Sequence, residues 1–162
     1  MAISKEKKHA IVSSFSDIVT GSESLVFVQF DKLTVANSNA LRRKLRAANV
    51  GYKVGKKTLL KRVLSEQGYT GELPALEGEI AVAYSADPLA SAREVYEFQA
   101  ANKGLISIVG GIFEKGYKSQ GEMLAIATIP PLQTLRGMFV NIINSPIQRF
   151  AIALDQIAKK SA

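Results

Sequence analysis

The run LVFVQF, Leu25 to Phe30, constrains this chain more than any other stretch. It is almost wholly apolar, rich in Val and Phe, and too short for a helix, so it reads as a buried β-strand. Ahead of it, Ser4 to Val19 predicts a helix: Ile11, Phe15 and Ile18 recur at helical spacing, Ser4 is placed to cap it, and Thr20-Gly21 ends it. Behind it, Thr34 to Asn49 predicts a second helix. Leu41, Leu45 and Ala48 form its inward stripe, while Arg42 and Arg46 stand one turn apart on another face. Gly51 is suited to the left-handed cap after that helix. Tyr52 to Val54 then reads as a second strand and Lys56 to Gln67 as a third helix.

After the turn-rich connection GYTGELPALEG, Gly68 to Gly78, the pattern starts again. Ile80 to Tyr84 reads as strand, Pro88 to Asn102 as helix with Asp87-Pro88 as its start, and Leu105 to Phe113 as strand. Two strand–helix–strand units separated by an extra helix predict an α+β fold, a split β-α-β (ferredoxin-like) sandwich of helices on a small sheet. A doubly wound parallel sheet is the alternative and usually needs more strands. The chain has 162 residues, enough for one core plus an appendage. No repeat of solenoid length is visible.

Charge is distributed very unevenly. The formal net charge is +7, yet residues 32 to 65 hold ten Lys/Arg and no Asp or Glu at all. A solvated surface normally interleaves both signs, so a one-sign block inside folded sequence points to a polyanion, and to nucleic acid first. In the helix from Lys56, the residues Leu59, Leu60, Val63 and Leu64 must face inward, which puts Lys57, Thr58, Lys61, Arg62 and Ser65 together outside. A helix start preceded by Gly55 and decorated with cations is an anion site. The RNA-contacting candidates are therefore Arg42, Arg43, Arg46, Lys53, Lys56, Lys57, Thr58, Lys61 and Arg62, with Lys5 and Lys8 from the lysine-rich first helix. Tyr52 is the only ring in residues 32 to 65. That scarcity of stacking platforms argues for shape recognition of folded RNA over reading of single-stranded bases.

Catalytic chemistry finds little to work with. His9 is the only histidine and there is no Cys, so disulfides and thiolate metal sites are ruled out, transition-metal ligation is not expected, and a cytoplasmic location fits. Glu66, Glu72, Glu77 and Glu79 read as a solvated acidic loop. Gly110-Gly111 with Gly116 lacks dinucleotide spacing and reads as a strand bulge or turn. GKKT, at 55–58, resembles the end of a P-loop, but the first glycine of that motif belongs at position 50, which is Val50, and Lys57 stands where a magnesium-holding hydroxyl is required. No catalytic residue, metal or cofactor is expected.

The C-terminal segment raises a different question. After Pro130-Pro131, Leu132, Leu135, Phe139 and Ile142 follow 3-4-3 spacing, and after Pro146, Ile147, Phe150, Leu154 and Ile157 form a second stripe out of phase with the first. Neither has an obvious partner element in the chain, which predicts a helical arm with docking sites for partner helices. The division is residues 1–129 as an RNA-binding globular domain and 130–162 as the arm. The tract from Met138 to Leu154 is broken by Asn141, Asn144, Pro146, Gln148 and Arg149, so it is not a membrane span, and the N-terminus lacks the apolar run of a secretory signal.

Six stretches, in order, resemble the bacterial large-subunit ribosomal protein ten family: LTV (33–35), LRRKLR (41–46), VGKKTLLKR (54–62), IAVAYSADPLASA (80–92), VGGIFE (109–114) and LAIATIPP (124–131). The resemblance implies an α+β domain on large-subunit rRNA at the stalk base, near ribosomal protein eleven. It also implies a helical arm carrying dimers of the acidic stalk protein seven/twelve, which recruit the translation GTPases. Lys56, Lys57 and Thr58 match the family's Lys-Asn-Thr motif with Lys57 in place of Asn, and Phe30-Asp31-Lys32 stands where Tyr-Arg-Gly is common, so the resemblance implies Lys32 as the substitute RNA contact for that Arg. The residues alone leave room for a basic RNA chaperone, which would have no use for the terminal stripes. A nucleotide-dependent enzyme and a membrane-surface helix are the other readings.

Overall fold

The computed structural model describes residues 5–31, 33–71, 73–102 and 104–161, apart from the side chains of Lys5, Lys7 and Ser161. By compactness the chain divides into two units, Met1–Ile129 and Pro130–Ala162. The first contains α1 (Lys5–Gly21), β1 (Ser24–Phe30), α2 (Val35–Ala47), β2 (Gly51–Val54), α3 (Lys57–Gln67), β3 (Glu79–Ser85), α4 (Ala90–Ala101), β4 (Ile106–Phe113), β5 (Gly116–Ser119) and α5 (Gln120–Ala127). The second is one helix, α6 (Leu132–Ser161).

The sheet order is β2-β3-β1-β4-β5, with every neighbouring pair antiparallel. β1 and β2 therefore run parallel with β3 between them, and β3 and β4 run parallel with β1 between them. These are two interlocked split β-α-β units, the ferredoxin-like arrangement expected, with α3 inserted between β2 and β3 and β5 added at the far edge. A parallel doubly wound sheet is excluded by the register.

β1 is the central strand and has no wet face. Leu25 and Phe27 enter a core with Phe15 and Val19 of α1, Leu60, Val63 and Leu64 of α3, and Ile80 and Val82 of β3. Val26 and Val28 enter the opposite core with Leu41 and Leu45 of α2, Val95 and Phe98 of α4, Ile108 of β4 and Met123 of α5. The alternation of successive side chains along one strand thus dictates a layer of helices on each face. At its start, the Ser24 hydroxyl shares a buried hydrogen bond of 2.9 Å with Ser91 of α4, so neither polar group is stranded.

Several local readings change. The left-handed residue after α2 is Asn49, at φ 57, not Gly51, which is already in β2. Asn tolerates this conformation, and Gly51 is needed for another reason: a Cβ there would lie 2.2 Å from Cζ of Tyr84. α4 starts at Ala90 rather than Pro88, after a turn in which Asp87 Oδ1 accepts from the Leu89 amide at 3.0 Å. Ser4 lies outside the described residues. The Gly110-Gly111 reading holds: the β1–β4 register shifts between Phe27 and Val28, which face Gly110 and Ile108, so Val109 is the bulged residue. β5 and α5 were not expected. α5 opens on a capping box in which Ser119 and Glu122 bond reciprocally. The helical tract after Pro131 runs unbroken to Ser161 with Pro146 inside it, so the two stripes lie on one helix. Among the described residues no single helix is long and apolar enough to cross a membrane.

Gly111 is a second position where close approach demands glycine, since a Cβ would sit 2.5 Å from the Leu25 carbonyl oxygen and 2.8 Å from Cε of Met123. Gly111→Ala should destabilise the domain by about 1–3 kcal/mol through overpacking. Gly21→Ala, with nothing within 4 Å of the new Cβ, should leave the urea midpoint unchanged or slightly raised. Equal losses for the two variants would show that the tight contact does not govern the effect.

Candidate nucleic-acid interface

The acid-free block 32–65 contributes α2, β2 and the start of α3, and these do not share a face. α2 lies in the layer with α4 and α5, whereas α3 lies in the layer with α1. Between them runs β2, an edge strand of only four residues. The cations of α2 and α3 therefore flank one edge of the sheet from its two sides. Contiguity in sequence becomes a charged rim, not a single flat patch.

On the α3 side, Lys56, Lys57, Thr58, Lys61 and Arg62 are all exposed. Lys56 provides no side-chain cap, so the first amides of α3 stay open beside two ammonium groups. Gly55 allows the turn to close on the core, for a Cβ there would meet Cζ of Phe15 at 2.4 Å. Arg62 is tied to Glu66 one turn on, Nε to Oε1 3.2 Å, an exposed pair that holds little energy. Lys53, on β2, is drawn inward: its Nζ donates to Ser14 Oγ at 2.6 Å and lies 4.9 Å from the Phe15 ring centre. That ammonium is occupied within the fold.

On the α2 side, Arg42, Arg43 and Arg46 are exposed, and no carboxylate pairs with them among the described residues. Lys44, the fourth cation of this helix, faces α4 instead, with Glu97 at 2.8 Å and Glu94 at 3.7 Å. The guanidinium carbon of Arg42 sits 5.8 Å from the ring centre of Tyr52. Burial pushes the Tyr52 hydroxyl above its usual pKa, and the Arg42 charge offsets part of that rise. Lys8 is exposed on α1. Lys32 and the side chain of Lys5 lie outside the described residues.

One participant is absent from residues 32 to 65. Register pairs Gly51 with Tyr84 of β3, and Tyr84 lines the same groove as Arg42, Arg46 and Tyr52. The rim thus has a second ring, on the opposite face of the sheet from Tyr52, and only the β2–β3 pairing reveals it. His9 is exposed, and no group of three or more acidic or histidine side chains among the described residues could hold a metal ion.

In the second unit the stripe residues are exposed without exception: Leu132, Leu135, Phe139, Ile142, Ile147, Phe150, Leu154 and Ile157. Met138, Val140, Ile143 and Ile152 are exposed as well, so the apolar surface is broader than the two stripes.

The same rim and arm occur in a sequence with many relatives. A model of the family described as Ribosomal protein L10 matches residues 3–100. The large ribosomal subunit protein uL10 of Shouchella clausii is 32% identical over 155 residues, covering 96% of this chain and 93% of that one. The uL10 proteins of Gluconobacter oxydans and Erythrobacter litoralis are 34% and 35% identical over 92% and 91% of this chain, and 80% and 85% of their own lengths. The chain belongs to the ribosomal protein L10 family. The family match spans α1 to α4, and with them every RNA-contacting candidate, while the relatives' similarity runs on into α6.

The Arg42–Tyr52 contact in this L10-family chain can be checked by titration. Arg42→Met, which keeps bulk over the ring and so its burial, should raise the Tyr52 pKa further, because it removes the charge that lowers it. The tyrosinate absorbance difference between this variant with and without Tyr52→Phe reads the value; an unchanged or lowered pKa would place the guanidinium elsewhere.

Proposed function

We propose that this chain is a structural, non-catalytic constituent of the large ribosomal subunit in the cytoplasm. On this reading it holds large-subunit rRNA at the stalk base with its first unit and anchors dimers of the acidic stalk protein seven/twelve on α6. Ribosomal protein eleven is then its neighbour, and the translation GTPases meet it only through the stalk proteins, so nucleotide hydrolysis is theirs. The observation that carries the RNA half is the rim: cations on both sides of β2, with Arg43, Arg46, Lys56, Lys57 and Lys61 exposed and free of carboxylate partners among the described residues. Such a rim raises the local potential for a polyanion, and phosphate contacts supply affinity without needing base identity. The arm half rests on α6, whose large apolar side chains would each gain roughly 1.5–3 kcal/mol on full burial against partner helices.

Three measurements test this reading. If about five cations touch phosphate, the log affinity for a stalk-base rRNA transcript should fall with log salt at a slope near ~-4, and Lys57→Ala with Lys61→Ala should flatten it by roughly 2. Lys53→Met should instead lower thermal stability and leave the slope nearly intact, since its ammonium is held by Ser14 and Phe15. Phe139→Asp with Phe150→Asp should abolish binding of stalk-protein dimers while rRNA affinity persists. Loss of both activities, or of neither, would sink the modular reading.

A further inference from the structure

The groove at the start of the β2 edge has the chemistry of a nucleotide site. Its volume is about 390 Å³, and it is lined by Arg42, Arg46, Asn49, Gly51, Tyr52 and Tyr84. The two guanidinium groups stand one turn apart, and neither meets a carboxylate among the described residues. Arg42 is steadied by the Tyr52 ring. Tyr84 is laid against the backbone of Gly51, where any Cβ would displace it. Asn49 turns there in the left-handed conformation and brings an amide, with both a donor and an acceptor, to the rim.

A paired A-form duplex can offer such a groove only phosphates, because its bases are stacked and its deep groove admits no side chains. Tyr84 belongs to the α1 and α3 face and Tyr52 to the α2 and α4 face, so the groove wraps the β2 edge, and a ring on one side with guanidinium groups on the other suits an unstacked base with its own phosphate. Orientation follows from charge. A neighbouring cavity of about 340 Å³ shares Asn49, Gly51 and Tyr84 but carries Asp17, which repels phosphate toward the arginine side. We propose that this groove seats one unstacked nucleotide of the bound RNA, its phosphate on Arg42 and Arg46 and its base against Tyr84. The inference rests on the RNA-binding reading above and adds base capture to what the charge distribution implies.

The test irradiates the full chain with a stalk-base rRNA transcript at short ultraviolet wavelength and maps crosslinked peptides by mass spectrometry. Expected are crosslinks at Tyr84 or Tyr52 to one unpaired nucleotide. Arg46→Gln, at an exposed position, should weaken RNA binding and abolish those crosslinks, and Tyr84→Leu, checked for folding by circular dichroism, should cost about ten-fold in affinity. Free nucleoside monophosphates form the second arm and should compete only at millimolar concentration. RNA that binds normally to both variants and crosslinks only near α3 would overturn the groove and leave RNA binding standing. A free monophosphate that binds at micromolar concentration in an Arg46-dependent way, with no RNA crosslink, would overturn the RNA source. Failure of the unaltered protein to bind RNA would overturn both readings.

Discussion

The double burial of β1 governs this molecule. A strand whose successive residues Leu25, Val26, Phe27 and Val28 are all inaccessible must be paired along both edges and covered on both faces. Pairing comes from β3 and β4, covering from α1 and α3 on one side and α2, α4 and α5 on the other. Once β1 is central, the first strand–helix–strand unit has to place its second strand outside β3, and β2 becomes an edge. The helices either side of β2 in sequence are then forced onto opposite layers. The position of the charged rim is a consequence of core packing, not of any local feature of the basic segment.

That explains what could be read from the sequence and what could not. Apolar periodicity located β1, α2, α3, β3 and β4 to within a residue or two, because each of these buries a face and the burial period is written in Leu41/Leu45 or Ile80/Val82. β5 escaped because it is short and because its hairpin turn uses Glu114 and Lys115, both at positive φ, where glycine or asparagine would have announced a turn. α5 was legible in principle: Ser119 and Glu122 have capping-box spacing ahead of an apolar run. The Asn49 and Gly51 roles were exchanged because a close approach by Tyr84 is a tertiary fact. Which cations are free was equally hidden. Lys44 and Lys53 belong to the same acid-free block as Lys57, and only the fold brings Glu97 to one and Ser14 to another.

The rim therefore offers less free charge than its composition suggests. A block with ten basic residues and no acid is rich enough to bind any polyanion, yet packing withdraws part of that charge into the domain and divides the rest across an edge. On the RNA-binding function proposed above, a surface of this shape suits an RNA that can lie along the edge with phosphates on both sides of it. Flat duplex could engage one side at a time.

α6 is governed by the opposite physics. Its twelve exposed large apolar side chains, Leu132 to Ile157, would in an ordinary soluble helix lie against a core. Its charges are few, Arg136, Arg149, Asp155, Lys159 and Lys160, and Lys159 is already paired to Asp155 at 2.7 Å. Propensity alone does not sustain a helix of this composition in water, because most helical stability in proteins comes from packing an apolar face. Pro146 adds a local weakness: it has no N–H for the Ile142 carbonyl and falls between the two stripes. Two partner helices, one on each side of Pro146, are what the proposed anchoring role asks of this helix. On that proposal, burial against partners supplies the packing that a helix of this composition needs.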